Sequence, residues 1–197
     1  MGRISFFAKI FKHPFQTHPM LLNNLTTARL RFRPLTLADK PKLLGFFEDP
    51  VATEFHLINT SISEYADLWL RRQLGRYAND QGGLHAVELL ETGELVGQCG
   101  LLYQWVDNIP KWEVGYHFFR EHWGNGYATE AATACRNFCI ENEMAETLIS
   151  LIHPNNLRSQ AVAKRNGMTE WKRTTWREMP VVVYRVRRSE WGEIEVK

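Results

Sequence analysis

The stretch WEVGYHFFREHWGNGYATEAA, from Trp112 to Ala132, decides the fold of this chain. It begins as an apolar strand, continues into a loop with glycines at positions 124 and 126, and passes directly into a helix near Tyr127. Glycines let the backbone turn tightly and approach a ligand closely. The free N–H groups at a helix start, together with the helix dipole, favour an anion. The stretch therefore predicts a cradle for a phosphate group such as a pyrophosphate, although a strand-to-helix turn without a ligand has the same pattern.

Two other phosphate-binding motifs are excluded by the same loop. A GxGxxG dinucleotide motif would need glycine where Thr129 stands, and the Walker motif needs a Gly-Lys-Ser/Thr run that the chain lacks. We therefore expect neither a dinucleotide-binding domain nor a P-loop nucleotide-binding domain.

Strands and helices alternate on both sides of this stretch. Apolar residues with period two indicate half-buried strands, and apolar residues at helical spacing behind a capping residue indicate helices. The predicted strands span residues 28–34, 84–90, 95–103, 112–119, 147–153, 170–174 and 181–186, and the predicted helices span residues 37–48, 63–77, 126–143 and 156–165. A block of strands between helices is typical of a mixed α/β fold and not of an alternating doubly wound one.

Length and charge favour a single globular domain. The chain has 197 residues, of which 44% are hydrophobic and 23% are charged. Residues 1–20 hold three basic residues and no acid, so the rest of the chain carries 21 basic and 22 acidic residues, which excludes a basic nucleic-acid-binding domain. We predict that residues 1–25 form a basic appendage, either a short interfacial helix or a packed or frayed tail, and that residues 26–197 form the domain.

The cysteine and histidine patterns argue against disulfides and metal. Cys99, Cys135 and Cys139 have no zinc-site spacing, and the last two lie four apart on an apolar helix face, which predicts core positions. The seven histidines include no HExxH pair, so no metal ion is predicted. No apolar run approaches the roughly 20 residues of a membrane span, and the chain start lacks a secretion signal. These features favour a cytoplasmic protein.

Three segments of the chain resemble a known family. They are TARLRFRPLTLAD (residues 27–39), WGNGYATEA (residues 123–131) and LIHPNNLRSQAVAKRNGM (residues 151–168). In this order they resemble the GNAT superfamily of acyl-CoA-dependent N-acetyltransferases, and within it the ribosomal-protein N-terminal acetyltransferases of the RimJ/RimL type. The resemblance runs from Thr27 to about Trp191. It implies a mixed, mostly antiparallel sheet of six or seven strands with flanking helices, in which only strands 113–119 and 147–153 are parallel and splay apart.

The resemblance also implies acetyl-CoA as the cosubstrate and assigns residues to it. The superfamily's loop motif Gln/Arg-x-x-Gly-x-Gly/Ala binds the pyrophosphate, and here tryptophan replaces the first residue. The strand before the loop pairs with the pantetheine arm through backbone groups, and a later helix contributes an Asn-x-x-Ser motif. The implied cofactor-binding residues are Tyr116, His117, Phe118, Trp123, Gly124, Asn125, Gly126, Tyr127, Ala128, Asn156 and Ser159. A capping role for Asn156 is compatible with the same position.

The family implies direct attack of an amine on the thioester without a covalent enzyme intermediate. In many members a tyrosine on the later helix protonates the leaving thiolate, but Ala163 stands at that position here, so Ser159 is the substitute candidate. Because the attacking amine must be neutral, the reaction needs a proton acceptor. Glu113 is the first candidate and Glu88 the second. A charge at a strand edge is also typical of a solvated ion pair, and this alternative stays open for Glu113.

Together these residues predict an enzyme that transfers an acetyl group from acetyl-CoA to a primary amine, foremost a protein N-terminal α-amine. The alternatives are a small-molecule amine, such as an antibiotic, a polyamine or an amino acid, and a CoA-binding module without turnover. Acceptor choice is expected to depend on loops 49–61 and 106–111, and a strongly acidic cleft would favour a polycation. We expect acetyl-CoA and the amine as partners, no nucleic acid, and a monomer or homodimer.

Overall fold

A computed structural model of the chain describes residues 21–193. Residues 1–20, most of the predicted appendage, lie outside that range. At the start of the described range Leu22 is buried, and Leu21 and Leu25 pack against the same core. The first described residues therefore pack onto the domain.

The domain consists of one seven-stranded sheet and four α-helices within the described residues. In chain order the elements are β1 (Leu30–Pro34), α1 (Lys40–Glu48), α2 (Ile62–Ala78), β2 (Gly82–Leu89), β3 (Leu95–Val106), β4 (Ile109–Phe118), α3 (Tyr127–Glu141), β5 (Thr147–Ile152), α4 (Leu157–Arg165), β6 (Thr169–Trp176) and β7 (Met179–Arg187). The strand order is β1-β2-β3-β4-β5-β7-β6, and neighbouring strands are antiparallel except β4 and β5. The predicted mixed, mostly antiparallel α/β fold is confirmed.

The parallel pair, β4 and β5, separates soon after it meets. Trp112 pairs with Leu148 and Glu113 with Ile149, and the ladder between the two described strands ends there. The predicted splay is confirmed. Because backbone N–H and C=O groups need partners, the edge of β4 beyond Glu113 is open to a ligand.

Helices cover the two faces of the sheet around this opening. On one face, Ala131, Cys135 and Cys139 of α3 belong to a core that also includes Ala163 of α4. On the other face, α1 and α2 form a second core. All three cysteines are buried and free, and the core positions predicted for Cys135 and Cys139 are confirmed. No helix within residues 21–193 is both long and apolar enough to span a membrane.

Local turn chemistry explains where element ends differ from the prediction. β3 and β4 extend to a tight turn at Asp107 and Asn108, whose φ angles of 49° and 61° suit a two-residue hairpin. The predicted start of α2 at Ser63 is wrong. Ser61 caps this helix, because its Oγ accepts a hydrogen bond from the N–H of Glu64 at 3.3 Å.

Candidate active site

A cavity of about 1230 Å³ opens where β4 and β5 separate. One end is formed by the glycine loop and the start of α3, and the walls by β4, β5 and α4. The other end is formed by the α1–α2 loop, by α2 and by the β6–β7 turn. All the predicted cofactor-binding residues except Asn125 line the cavity, and Glu113 lines it too. The Nδ2 of Asn125 instead donates to the carbonyl of His122 at 3.1 Å.

The glycine loop has the backbone that an anion cradle needs. Gly124 and Gly126 both have φ +82°, a conformation that other residues rarely adopt. Gly126 is the N-cap of α3, so the first amides of the helix have no intrahelical acceptor. The Arg29 guanidinium lies over the Tyr127 ring at 4.7 Å, and Glu130 fixes it by accepting from its Nε at 2.8 Å. Helix dipole and guanidinium together make this loop suitable for a phosphate group.

Side chains, and not a neighbouring strand, reach the backbone of β4 on the edge that faces β5. The Ser150 hydroxyl donates to the carbonyl of Val114 at 2.8 Å, and the Trp123 indole donates to the carbonyl of Phe118 at 2.8 Å. Alternate residues of a strand direct their backbone groups to the same edge, so those of Tyr116 also face the opening. An extended amide chain such as a pantetheine arm fits beside such an edge in the manner of an added strand.

Two hydroxyl groups meet at the start of α4. The Ser159 hydroxyl donates to the Tyr116 hydroxyl at 3.2 Å, and the Tyr116 hydroxyl donates to the Ser159 carbonyl at 2.9 Å. Asn156 caps α4, because its Oδ1 accepts from the Ser159 N–H at 3.0 Å. Burial raises the pKa of Tyr116. Ala163, which stands where many family members have tyrosine, is buried in the core.

Glu113 is a buried carboxyl group, only 8% exposed, at the point where the strands part. It accepts a hydrogen bond from Gln104 Nε2 at 2.9 Å and another from the backbone N–H of Leu151. Burial raises its pKa, against the effect of these hydrogen bonds. The alternative of a solvated strand-edge charge does not fit this environment.

Glu88 lies apart from the cavity. Arg31 and Arg33 donate to its carboxylate at 2.7 Å and 2.6 Å. Burial opposes ionisation, but these hydrogen bonds hold the pKa of Glu88 below its usual value. A carboxylate held in this way is a poor proton acceptor.

A pair of histidines lines the α1–α2 side of the cavity. His56 Nε2 lies 3.3 Å from His117 Nδ1, and His56 Nδ1 lies 3.3 Å from the Tyr65 hydroxyl. Burial lowers the pKa of His56 to about 4 and that of His117 well below its usual value. Both rings are therefore neutral at pH 7. No cluster of three or more His, Cys, Asp or Glu side chains suited to a metal ion occurs within residues 21–193.

The acceptor end of the cavity is only partly as predicted. Phe55 and His56 of the α1–α2 loop line it, as expected of loop 49–61. Loop 106–111, however, lies outside the cavity, because it forms the tip of the β3–β4 hairpin. The β6–β7 turn takes its place through Arg177, and α2 contributes Arg72 and Arg76, none of which the sequence interpretation had singled out. The spacing of Tyr65, Trp69, Arg72 and Arg76 on one helix face was the available indication.

A splayed parallel strand pair, a glycine loop that begins a helix and a buried carboxyl group in one cavity define an acetyltransferase of the GNAT class. The model of the GNAT acetyltransferase domain matches residues 29–169, and the chain belongs to this family. It is therefore an acyl-CoA-dependent N-acetyltransferase.

Related proteins agree with this membership. The chain is 34% identical to YkkB of Bacillus subtilis (strain 168), over 81% of this chain and 93% of that protein. It is 24% identical to the N-acetyltransferase p20 of Bacillus licheniformis, over 87% of this chain and 99% of that protein. The solved acetyltransferase from Agrobacterium tumefaciens str. C58 is 29% identical with a TM-score of 0.72, over 94% of this chain and 99% of that one.

More distant structures share the fold alone. The L7/L12 α-N-protein acetyltransferase RimL, in complex with coenzyme A, is 14% identical with a TM-score of 0.65, over 82% of this chain and 95% of that one. An aminoglycoside acetyltransferase in complex with coenzyme A is 15% identical with a TM-score of 0.70, over 83% of this chain and 98% of that one. The same fold thus occurs in enzymes with very different acceptors.

Proposed function

We propose that this protein transfers the acetyl group of acetyl-CoA to the α-amine at a protein N-terminus, as an acetyltransferase of the RimJ/RimL type. The observation that carries the proposal is the splay of β4 from β5, with an anion cradle at one end of the opening and a buried carboxyl group beside it. The sequence resemblance to the RimJ/RimL branch, together with the fold shared with RimL, supports a protein N-terminus as the acceptor.

The cosubstrate follows the length of the opening. The pyrophosphate binds the amides of Gly124 to Ala128, near the Arg29 guanidinium. The pantetheine arm pairs with β4 along Tyr116 to Phe118, and its thioester end reaches the hydroxyl of Ser159 on α4. Trp123 and Asn156 support the site indirectly, the first by its bond to the Phe118 carbonyl and the second by capping α4.

The reaction is a direct displacement at the thioester carbon. The amine nitrogen forms a bond to this carbon and gives its proton to the Glu113 carboxylate, directly or through a water, while the carbon–sulfur bond breaks. The Ser159 hydroxyl, which donates to the Tyr116 hydroxyl in the structure, turns to give its proton to the departing thiolate and is then reprotonated from solvent. A raised pKa improves Glu113 as a base near neutral pH, whereas the low pKa of His56 makes that ring a weak one.

The test is incubation with labelled acetyl-CoA and three kinds of acceptor. These are peptides with a free N-terminus, the same peptides with a blocked N-terminus and an internal lysine, and a panel of small amines. We expect label on the free α-amine only. Label on small amines alone would replace the protein acceptor by a small-molecule one, and CoA binding without transfer to any amine would indicate a module without turnover.

A further inference from the structure

Two arginine side chains line the acceptor end of the cavity from different elements. Arg72 lies on α2, three residues after the buried Trp69, and Arg177 lies in the β6–β7 turn. The Arg177 guanidinium packs over the Trp176 ring at 4.4 Å. Both arginines face the same cavity, and burial and then the positive charge of Arg72 lower the pKa of Arg177, whereas the charge of Glu113 raises it.

Neither cation has a carboxylate within ion-pair distance among the described residues. Most other arginines of the domain do, including Arg29 with Glu130 and Arg33 with Asp39. Arg76, the third arginine at this end, is engaged by the Gln104 side chain at 3.0 Å and the Tyr103 carbonyl at 3.2 Å. Arg72 and Arg177 thus contrast with the internally paired cations of the same fold.

The acids of the cavity form no ion pair with Arg72 or Arg177, although the charge of Glu113 raises the pKa of Arg177 from a distance. Glu130 is bound to Arg29 at the opposite end, and Glu113 accepts its hydrogen bonds from Gln104 and Leu151. Both side chains are exposed at the mouth of the cavity. Two like charges there repel each other, and an anion bound between them is attracted to both. Guanidinium groups, each with several fixed donors, match the geometry of a carboxylate.

We propose that the acceptor amine carries a carboxylate, which Arg72 and Arg177 bind while the amine faces the thioester. The inference rests on the proposed acetyl transfer and specifies the charge of the acceptor; a free α-amino acid as acceptor would replace the protein N-terminus proposed above. The carboxylate belongs either to a free α-amino acid or to an acidic side chain close behind a peptide N-terminus. The aromatic walls of Tyr65, Trp69 and Trp176 leave room for an apolar part of the same molecule. Polyamines and aminoglycosides, which are polycations, are disfavoured by the same charges.

The experiment compares acceptors that differ only in this charge. L-phenylalanine is compared with L-phenylalaninamide, and an amidated Ser-Asp-Ala-Phe peptide with its Asn counterpart. For each pair we take the ratio of kcat/KM for acid and neutral form, in the wild type and in Arg72→Met and Arg177→Met. Because all the proteins are given the same amines, differences in intrinsic amine reactivity cancel when the ratios are compared. Arg71→Met, on the same helix but outside the cavity, is the matched control.

In at least one of the two acceptor pairs, we expect the acid-to-neutral ratio of kcat/KM to fall by about 10- to 100-fold in Arg72→Met and in Arg177→Met, mainly because KM for the acid rises. The same ratio is expected to stay unchanged in Arg71→Met. The pair that shows the fall identifies the source of the carboxylate. Equal ratios in the wild type and both cavity variants would overturn the inference, and so would a preference for spermidine over every acid.

Calorimetry with the CoA-loaded protein separates this inference from the proposed function. If the acids bind more tightly than their neutral counterparts, and Arg72→Met removes the difference, the carboxylate site stands even in the absence of turnover. In that case the proposed function alone fails. Equal binding of acid and amide by the wild type counts against the carboxylate site.

Discussion

At the scale of single residues, Glu113 is the group on which proton removal depends. Replacing it by glutamine keeps its shape and its contact with Gln104 but removes the proton acceptor. We expect kcat/KM near pH 7 to fall by roughly 100-fold or more, and to recover as rising pH deprotonates the amine without help. A pH–rate profile of Glu113→Gln against the wild type measures this.

Glu88→Gln is the control for this prediction. Its carboxylate is held by Arg31 and Arg33 away from the cavity, so its loss is expected to lower stability but leave the pH–rate profile unchanged. If kcat/KM of Glu113→Gln equals that of the wild type across about pH 6 to 9, the amine loses its proton to solvent without Glu113. The rate enhancement would then come from the positioning of the amine against the thioester.

The Ser159 hydroxyl is the candidate for protonating the leaving thiolate. A general acid acts in the transition state, so Ser159→Ala is expected to lower kcat by about 10- to 1000-fold with little change in CoA affinity. The hydrogen bond from Ser159 to Tyr116 orients this hydroxyl, and Tyr116→Phe is therefore expected to lower kcat less. A thiol with a pKa of roughly 8.5 is already a fair leaving group. If Ser159 only binds the cofactor, its loss raises the KM for acetyl-CoA and leaves kcat intact.

The cofactor side of the site could be predicted from sequence and the acceptor side could not. Gly126, Tyr116 and Ser159 lie in local motifs whose order along the chain carries the family resemblance, and that resemblance predicted that they line one cavity. Arg72 and Arg177 are more than 100 residues apart, and their meeting depends on how α2 and the β6–β7 turn pack. Nothing in either local segment indicates that the two arginines line one cavity. Loop 106–111, which was expected at the acceptor end, does not line this cavity.

At the scale of elements, periodicity in the sequence predicted which segments are strands and which are helices. It did not predict the residues at which they begin and end. Periodicity reports which face is buried, whereas an end is fixed by one cap or one turn. Ser61 rather than Ser63 caps α2, and the positive φ angles at Asp107 and Asn108 lengthen the β3–β4 hairpin. The parallel pairing of β4 with β5 came from the family resemblance and not from the pattern of either strand.

The start of α3 provides a test of the anion cradle. Gly126→Val is expected to abolish CoA binding in calorimetry, because the side chain would stand in the cavity where the backbone must approach the pyrophosphate. The positive φ of Gly126 also makes this change costly by about 1–2 kcal/mol. Gly93→Val is the matched control, since Gly93 has φ +72° with open space around it in the turn between β2 and β3. Wild-type CoA affinity in Gly126→Val would contradict the proposed cradle.

At the scale of the whole molecule, the cavity depends on two parts of the sheet that meet over only two ladder pairs. The part from β1 to β4 carries α1 and α2, and the part from β5 to β7 supplies the turn with Arg177. The cofactor edge belongs to β4, while the acceptor end draws on both parts. The same splay that admits the cofactor therefore also sets the distance between the two sides of the acceptor end.

The free energy of unfolding is expected to depend on pH because several histidines are buried in their neutral form. His85 is the residue at which this dependence can be measured separately from the cavity. This residue is fully buried on β2, away from the cavity, and its Nδ1 lies 3.2 Å from the Gly83 carbonyl. Burial lowers its pKa to about 4, although the hydrogen bond to Gly83 opposes the shift. Between the ordinary histidine pKa of 6.5 and this value, the unfolded chain binds more protons than the folded one. The contribution of the neutral His85 ring to the free energy of unfolding is therefore fully present above pH 6.5. It declines by about 3 kcal/mol as the pH falls to about 4.

Urea unfolding of the wild type and His85→Gln at about pH 7, 6 and 5 tests this expectation. His56 and His117 contribute with the same sign, and Glu113, whose pKa is raised, contributes with the opposite sign. These groups are common to both proteins, so the difference between the two free energies of unfolding reports on His85 alone. We expect His85→Gln to lose less stability on acidification, so that the gap between the two proteins narrows or reverses toward pH 5. Parallel curves would mean that His85 titrates alike in the folded and unfolded states, and that its burial does not keep it neutral.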